Sequence, residues 1–199
     1  MRVLIIGATG TIGSAVKREL ETSHEIITAG RNNTNIFVDL SNPESITSMF
    51  ESAGKIDAVV CTAGNSYFGP FQDLTPEKNE ITILSKLKGQ INLVLLGINH
   101  VNNGGSFTLT TGILMDDPIV GGTSSAMANG AIQGFVKSSA IELPRGVRIN
   151  NVSPTVLKES IEKYGPYFPG FNPVPASRVA LAYRKSVEGN QTGQTYTVY

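Results

Sequence analysis

Short apolar runs rich in β-branched residues alternate with stretches whose apolar residues recur every three or four positions, and the alternation persists along the whole chain. Val3-Leu4-Ile5-Ile6 is apolar at every position and ends at Gly7, as expected of a parallel strand buried on both faces. Ile12, Ala15, Val16 and Leu20 then line one side of a helix, and Glu25–Ala29 returns to strand character. The pattern continues with a strand at Ile36–Val38, a helix after Asn42-Pro43 carrying Ile46, Met49 and Phe50, and a strand at Ile56–Cys61. A long helix over 76–100, a strand at Ser106–Thr110, a second long helix over 123–143 and a strand at Val147–Val152 follow. A helix over 176–187 and a strand at Thr195–Val198 complete the series. Such alternation predicts an α/β architecture, a doubly wound parallel sheet of about seven strands with helices on both faces, in a single domain over residues 1–199. The aromatic-rich stretch 164–175 fits no element; it is too apolar for a linker and reads as a surface loop or small lid.

Glycines sit where the first strand hands over to the first helix, in Gly7-Ala8-Thr9-Gly10-Thr11-Ile12-Gly13. At such a junction one glycine makes the tight turn, a second lets the backbone approach a pyrophosphate, and a third lets helix and strand pack closely. The position within a strand–helix–strand unit favours dinucleotide binding over a merely tight turn, and makes the fold Rossmann-type. Gly7, Thr9, Gly10, Thr11, Ile12 and Gly13 are therefore candidate cofactor residues. After the second strand, a carboxylate would hold the ribose hydroxyl of NAD, whereas an arginine would accommodate the 2′-phosphate of NADP. The chain has Ala29-Gly30-Arg31 there, so Arg31 favours NADP (NADPH) over NAD, against the alternative of a solvated surface arginine. Asp39, followed by Leu40, supplies an acceptor suited to an adenine amino group.

Composition narrows the partners. Sixteen Lys and Arg balance sixteen Asp and Glu, which leaves no long-range positive field and argues against nucleic acid or an anionic membrane as a ligand. Charged residues make up 16% of the chain, against a usual ~25%, leaving neutral surface on which another subunit could pack. The single cysteine, Cys61, excludes an internal disulfide, and the isolated His24 and His100 offer no metal-ligand spacing, so no metal is expected. The N-terminal apolar run is too short for a signal-peptide core, and no segment reaches the ~18 to 20 apolar residues of a membrane span. A cytoplasmic location is the expectation.

With these landmarks in order, the chain resembles the short-chain dehydrogenase/reductase family from Val3 to Val198. The resemblance rests on the glycine turn, Asp39-Leu40, Cys61-Thr62-Ala63-Gly64, Gly104-Gly105-Ser106 and Ile149-Asn150-Asn151-Val152-Ser153-Pro154. Ala63-Gly64 looks like part of the family's Asn-Asn-Ala-Gly element behind the cofactor, and Gly134–Ala140 resembles the body of its catalytic helix. The Gly7-x-x-Gly10-x-x-Gly13 spacing departs from the compact members, which have glycine where this chain has Thr11. The resemblance also implies a shortened substrate lobe at about 155–175.

The catalytic pattern does not carry over. The family uses Asn, Ser, Tyr and Lys; the matching positions here are Lys86, Gly112 (with Thr111 adjacent), Ser125 and Asn129. A serine hydroxyl is a far weaker acid than a phenol of pKa ~10, so the family's usual mechanism cannot operate. Replacement acids are Lys86 if it turns inward, Asp116 or Asp117, Tyr67, and Thr111 as a positioning hydroxyl. The bland readings are a solvated Lys86, a turn at Asp116-Asp117-Pro118 and a Tyr67 that only lines the cleft. Tyr164, Tyr167, Phe168 and Phe171 occupy the substrate lobe and suggest an apolar ligand if the loop closes over the cleft, or a loop tucked onto the sheet if it does not.

Two functions follow: an NADP-dependent oxidoreductase acting on an unknown small carbonyl or alcohol through a non-standard site, or a catalytically inactive dinucleotide-binding sensor or regulatory module. The Ala-, Gly- and Ser-rich helix over 124–143, together with the helix over 77–100, is the expected interface of a homodimer or homotetramer.

Overall fold

The computed structural model describes residues 1–199. Seven strands form one sheet: β1 (Arg2–Ile6), β2 (Glu25–Gly30), β3 (Ile36–Phe37), β4 (Ile56–Cys61), β5 (Val101–Thr110), β6 (Arg148–Pro154) and β7 (Thr195–Val198). They lie in the order β3-β2-β1-β4-β5-β6-β7, and every neighbouring pair is parallel. Apart from the short β2–β3 connection (31–35), the crossovers between parallel strands are helical: α1 (Thr11–Leu20), α2 (Pro43–Ala53), α3 (Pro76–Thr82) running through a π-helical turn (Ile83–Lys88) into α4 (Gly89–Gly97), α5 (Thr123–Ser139), the short α6 (Ile161–Tyr164) and α7 (Ala176–Glu188). This is the doubly wound Rossmann-type fold that the alternation implies.

The sheet is buried on both faces. Leu4, Ile6, Val59, Phe107, Leu109 and Ile149 point into the layer covered by α2, α4 and α5. Val3, Ile5, Ala58, Val60 and Val152 point into the layer under α1 and α7. Continuous apolar runs in β1 and β4 are thus explained by alternate residues serving two cores.

Local chemistry fixes the element ends. Asn42 caps α2 by accepting hydrogen bonds from the amides of Glu44 and Ser45 at 2.9 and 3.3 Å, Pro43 occupies the first turn, and Gly54 ends the helix at φ 69°. Three boundaries differ from the sequence reading by three residues or more. The helix read as 123–143 stops at Ser139, because Ser139 turns its hydroxyl onto the Phe135 carbonyl and Pro144 lies just beyond. The helix read as 76–100 ends at Gly97 and is interrupted by the π-helical turn. β5 starts five residues early, at Val101, since Gly104 at φ 73° accommodates a register shift against β4 that polar residues had disguised as a loop.

Candidate functional site

The carboxyl ends of β1, β2 and β4 open onto a cavity of about 600 Å³, lined by the glycine turn, Arg31, Asp39, Leu40, Ala63 and Gly64. It lies at the switch point of the strand order, where β1 has β2 on one side and β4 on the other. Gly7 adopts φ 87°, and a Cβ there would lie 2.9 Å from the Ala63 Cβ and 3.0 Å from the Thr62 hydroxyl. A Cβ on Gly13 would lie 2.0 Å from the Gly7 carbonyl oxygen, so Gly13 is what lets α1 sit down on the turn. Gly10 differs from both: a Cβ there would meet only the Gly7 carbonyl, at 3.5 Å. Nothing within the protein demands glycine at Gly10, which lines the cavity.

No side chain caps α1, whose first turn carries no acidic residue. Its leading amides therefore offer donors and the positive end of a helix dipole to an anion. Thr9 also lines the cavity, while Thr11 and Ile12 lie on the first turn of α1 outside the lining, and Gly13 is buried beneath. Arg31 is exposed at the rim without an ion-pair or hydrogen-bond partner within the protein. Asp39 lies on the same wall. Hydrogen bonds from the Ser41 hydroxyl (2.7 Å) and amide (2.9 Å) hold its carboxyl below the usual range, with a smaller pull from Arg31, and partial desolvation opposes them. These residues fit a dinucleotide: a glycine cradle, uncapped helix amides, a free guanidinium and an ionised acceptor. Ser41, Asn32, Asn65, Ser85, Ile81 and Leu84 also line the cavity and carry no motif by which the sequence alone could have named them.

A second cavity of about 230 Å³ adjoins the first. The contact is at Gly64 on the larger cavity's wall, where a Cβ would lie 3.0 Å from the Lys86 Cα and 3.2 Å from its Cβ. All four positions corresponding to the family's catalytic set, Lys86, Gly112, Ser125 and Asn129, line this smaller space, together with Thr111 and Thr155. Its remaining wall is mostly apolar: Phe68, Ile113, Leu114, Val156, Leu157 and Phe168, with Tyr164.

Side-chain polar groups here are unevenly satisfied. Thr111 is locked, donating to the Val152 carbonyl at 3.3 Å and accepting from Asn151 Nδ2 at 2.8 Å. Ser125 reaches only the Ser66 hydroxyl, at 3.5 Å. Asn129 donates through Nδ2 to the Gly112 carbonyl at 3.3 Å, but its Oδ1 is buried without a partner, as is the Thr155 hydroxyl. Orphaned buried polar atoms on a cavity wall are groups awaiting a ligand or water.

Lys86, read from sequence as more readily solvated on its helix than turned inward, is half-buried and lines the smaller cavity. The π-helical turn widens the helix at this point and sets Lys86 into the cavity wall, where desolvation lowers its ammonium pKa to about 8, with the Cys61 thiol opposing slightly. Some of the side chain remains solvent-accessible, yet no protein acceptor pairs with the ammonium. Cys61 itself is fully buried and pushed up to about 12 by desolvation, an inert thiol.

The other replacement acids do not reach the cavity. The amides of Asp116 and Asp117 both bond to the Ile113 carbonyl at 2.8 Å, making the turn, and the Asp116 carboxylate accepts from the Tyr199 hydroxyl at 2.7 Å. Tyr67 lines neither cavity, contrary to its reading as a cleft residue: its amide is tied to the Thr82 hydroxyl at 2.8 Å, and Lys78 covers its ring at 5.4 Å. The aromatic stretch, read as irregular over 164–175, starts on the last residue of α6 and contains a 3₁₀ turn (Gly165–Tyr167). Tyr164 and Phe168 lie on the cavity wall, Phe171 packs edge-on against Phe168, and Tyr167 points to solvent.

Residues 7–191 match the family model described as enoyl-(acyl carrier protein) reductase. A curated relative, the oxidoreductase UcpA of Escherichia coli K12, is 27% identical over 191 residues, spanning 80% of this chain and 72% of the relative. The solved structure of the protein lin1944 from Listeria innocua is 60% identical, with full coverage of both chains and a TM-score of 0.99. A small-chain dehydrogenase solved in complex with NADPH is 24% identical and has a TM-score of 0.85 over 100% of this chain and 96% of its own, a likeness of fold.

Proposed function

The chain belongs to the short-chain dehydrogenase/reductase family, and we propose that it acts as an NADP-dependent oxidoreductase on a small, largely apolar carbonyl or alcohol, without the family's tyrosine. The observation that carries this reading is the adjacency of the two cavities. A polar groove furnished for a dinucleotide lies against an apolar pocket across the Gly64–Lys86 contact, and two of that pocket's polar groups, Asn129 Oδ1 and the Thr155 hydroxyl, are unpartnered. Convergent polar groups in an otherwise apolar pocket are the usual form of a small-molecule site.

In the larger groove, the turn amides and the α1 N-terminus would take the pyrophosphate, Arg31 the 2′-phosphate, and Asp39 with Leu40 the adenine edge. Ala63 and Gly64 line the wall leading toward the smaller pocket. When bound, NADPH would supply the hydride. The pocket's volume of about 230 Å³ limits the substrate to a small molecule, and Tyr164 and Phe168 would lie against it. Asn129 Oδ1 and the Thr155 hydroxyl are available to orient it.

The reading includes a homo-oligomer. Leu95 and Leu96 on α4 and Met127 on α5 are exposed, and Cβ atoms on Gly130 and Gly134 would meet open space, so a second pair of helices could approach closely. A cytoplasmic setting is part of the same reading, supported by the lone buried thiol of Cys61.

Fluorescence titration with NADPH, NADP⁺, NADH and NAD⁺, followed by NADPH oxidation against a panel of small aldehydes, ketones and enones, tests the proposal. Preferential NADPH binding with turnover of at least one carbonyl is expected. Binding without consumption would make the protein a dinucleotide sensor, and no binding at millimolar nucleotide would overturn both functions.

A further inference from the structure

Lys86 is the only cationic side chain on the wall of the smaller cavity, and no carboxylate shares that wall. The titratable groups facing it are the Cys61 thiol behind it at the end of β4 and the Tyr164 phenol on the same cavity. A lysine placed among apolar residues normally buries its stem and sends the ammonium to solvent or to a counter-ion. Here no counter-ion is provided. The π-helical turn that sets Lys86 into the wall gives up regular hydrogen bonding, and turns of this kind recur at functional sites. Gly64, at φ 141°, keeps the adjoining loop clear of the Lys86 backbone, so the placement depends on two separate local irregularities. Two further groups on the same wall, Asn129 Oδ1 and the Thr155 hydroxyl, are buried without partners.

We propose that Lys86 is the proton donor of the reductase reaction, the catalytic residue that delivers a proton to the substrate oxygen from the helix opposite the one carrying Ser125 and Asn129. The inference rests on the reductase reading above. In the step, the carbonyl carbon gains a C–H bond from the hydride of NADPH, which is oxidised to NADP⁺, and the π pair of the C=O bond moves onto oxygen. An N–H bond of Lys86 breaks as the O–H bond forms, leaving a neutral amine that regains a proton from water. A lysine that titrates near working pH suits this exchange, since it is largely protonated yet gives up the proton readily. Ser125 has no such acidity, and Tyr67, Asp116 and Asp117 lie outside the cavity.

The test combines pH-resolved labelling with two substitutions. In the NADPH-loaded protein, acetic anhydride labelling read by mass spectrometry should give Lys86 a midpoint near 8, against ~10.4 for ordinary lysines. Lys86→Met should lower kcat/KM for the best carbonyl of the panel by ~10² to 10⁴ while leaving NADPH affinity unchanged. Lys86→Arg keeps the charge but cannot release a proton at working pH, so it should retain KM and lose kcat. Turnover that survives Lys86→Met within about tenfold, or labelling of Lys86 at the midpoint of the other lysines, overturns its role and leaves the reductase reading standing. NADPH that binds but is not consumed with any carbonyl overturns both.

Discussion

Gly10 and Gly13, three residues apart in the same turn, should respond to the same alanine substitution in opposite ways. At Gly13 the new Cβ would sit 2.0 Å from the Gly7 carbonyl oxygen and 2.7 Å from the Thr62 hydroxyl. The carbonyl belongs to backbone held at φ 87°, so α1 must lift away, disturbing Ala15, Val16 and Leu20, which are at most 4% exposed. Overpacking of this severity costs roughly 3 kcal/mol, the upper part of the usual range. For a chain of this size that lowers the melting temperature by about 6 to 12 °C. At Gly10 the backbone lies at φ −77°, ψ 171°, open to any L-residue, and the new Cβ makes only an ordinary contact. Gly10→Ala should therefore change stability by less than ~1 kcal/mol, because the stiffer unfolded chain is offset by alanine's poorer fit at the N-cap of α1. Its methyl would instead occupy the closest approach to a pyrophosphate, and a clash of ~1 to 3 kcal/mol weakens NADPH binding by roughly 5- to 150-fold. Thermal unfolding without nucleotide and fluorescence titration with NADPH read the two effects separately. Loss of stability in Gly10→Ala comparable to that in Gly13→Ala, or wild-type NADPH affinity in Gly10→Ala, would refute the assignment of Gly10 to ligand approach.

Arg31→Ala should erase the preference for NADPH over NADH, because the rim holds no other cation on the groove lining; unchanged selectivity in paired titrations would show that Arg31 is only a surface residue. Asp57 accepts hydrogen bonds of 2.7 Å from Asn102 Nδ2 and the Arg2 amide, which hold its pKa below the ordinary value. A depressed carboxyl adds stability above its unfolded pKa of ~3.9 and loses it as pH falls through the lower folded value, so Asp57→Asn should flatten the acid limb of stability against pH, as urea midpoints below about pH 4 would reveal. An acid limb identical to that of the wild type would remove Asp57 from that account. Light scattering at micromolar concentration should give a dimer or tetramer mass, and Leu95→Glu should shift it toward monomer; a wild-type monomer would count against the α4 and α5 interface.

The elements most legible in the sequence are those whose cause is local or periodic. Unbroken apolar runs in β1 and β4, the capped start of α2 at Asn42-Pro43, and the stripe of α1 follow from side-chain spacing, and their sum implies the sheet. The glycine turn was readable because a positive φ at Gly7 and the close approach at Gly13 each admit one residue type. The early start of β5 was not readable: Asn102-Asn103-Gly104-Gly105 carries the composition of a loop, and only the pairing of Val101 and Ser106 with β4 on either side makes it an irregular part of the strand.

The apolar pattern and the glycine turn point to the α/β dinucleotide-type fold, while the roles read for Arg31 and for the four positions matched to the catalytic set are what the family resemblance implies. The tertiary structure decided which remaining groups face one another. The direction of the Lys86 side chain depends on a π-helical turn and on Gly64 from another element, so no helical periodicity could have supplied it. Tyr67 and Asp116 look like acids in sequence, but Lys78 covers one and Tyr199 engages the other. These pairings join groups 11 to 83 residues apart and are set by packing, and chemistry at a site depends on that pairing more than on residue type.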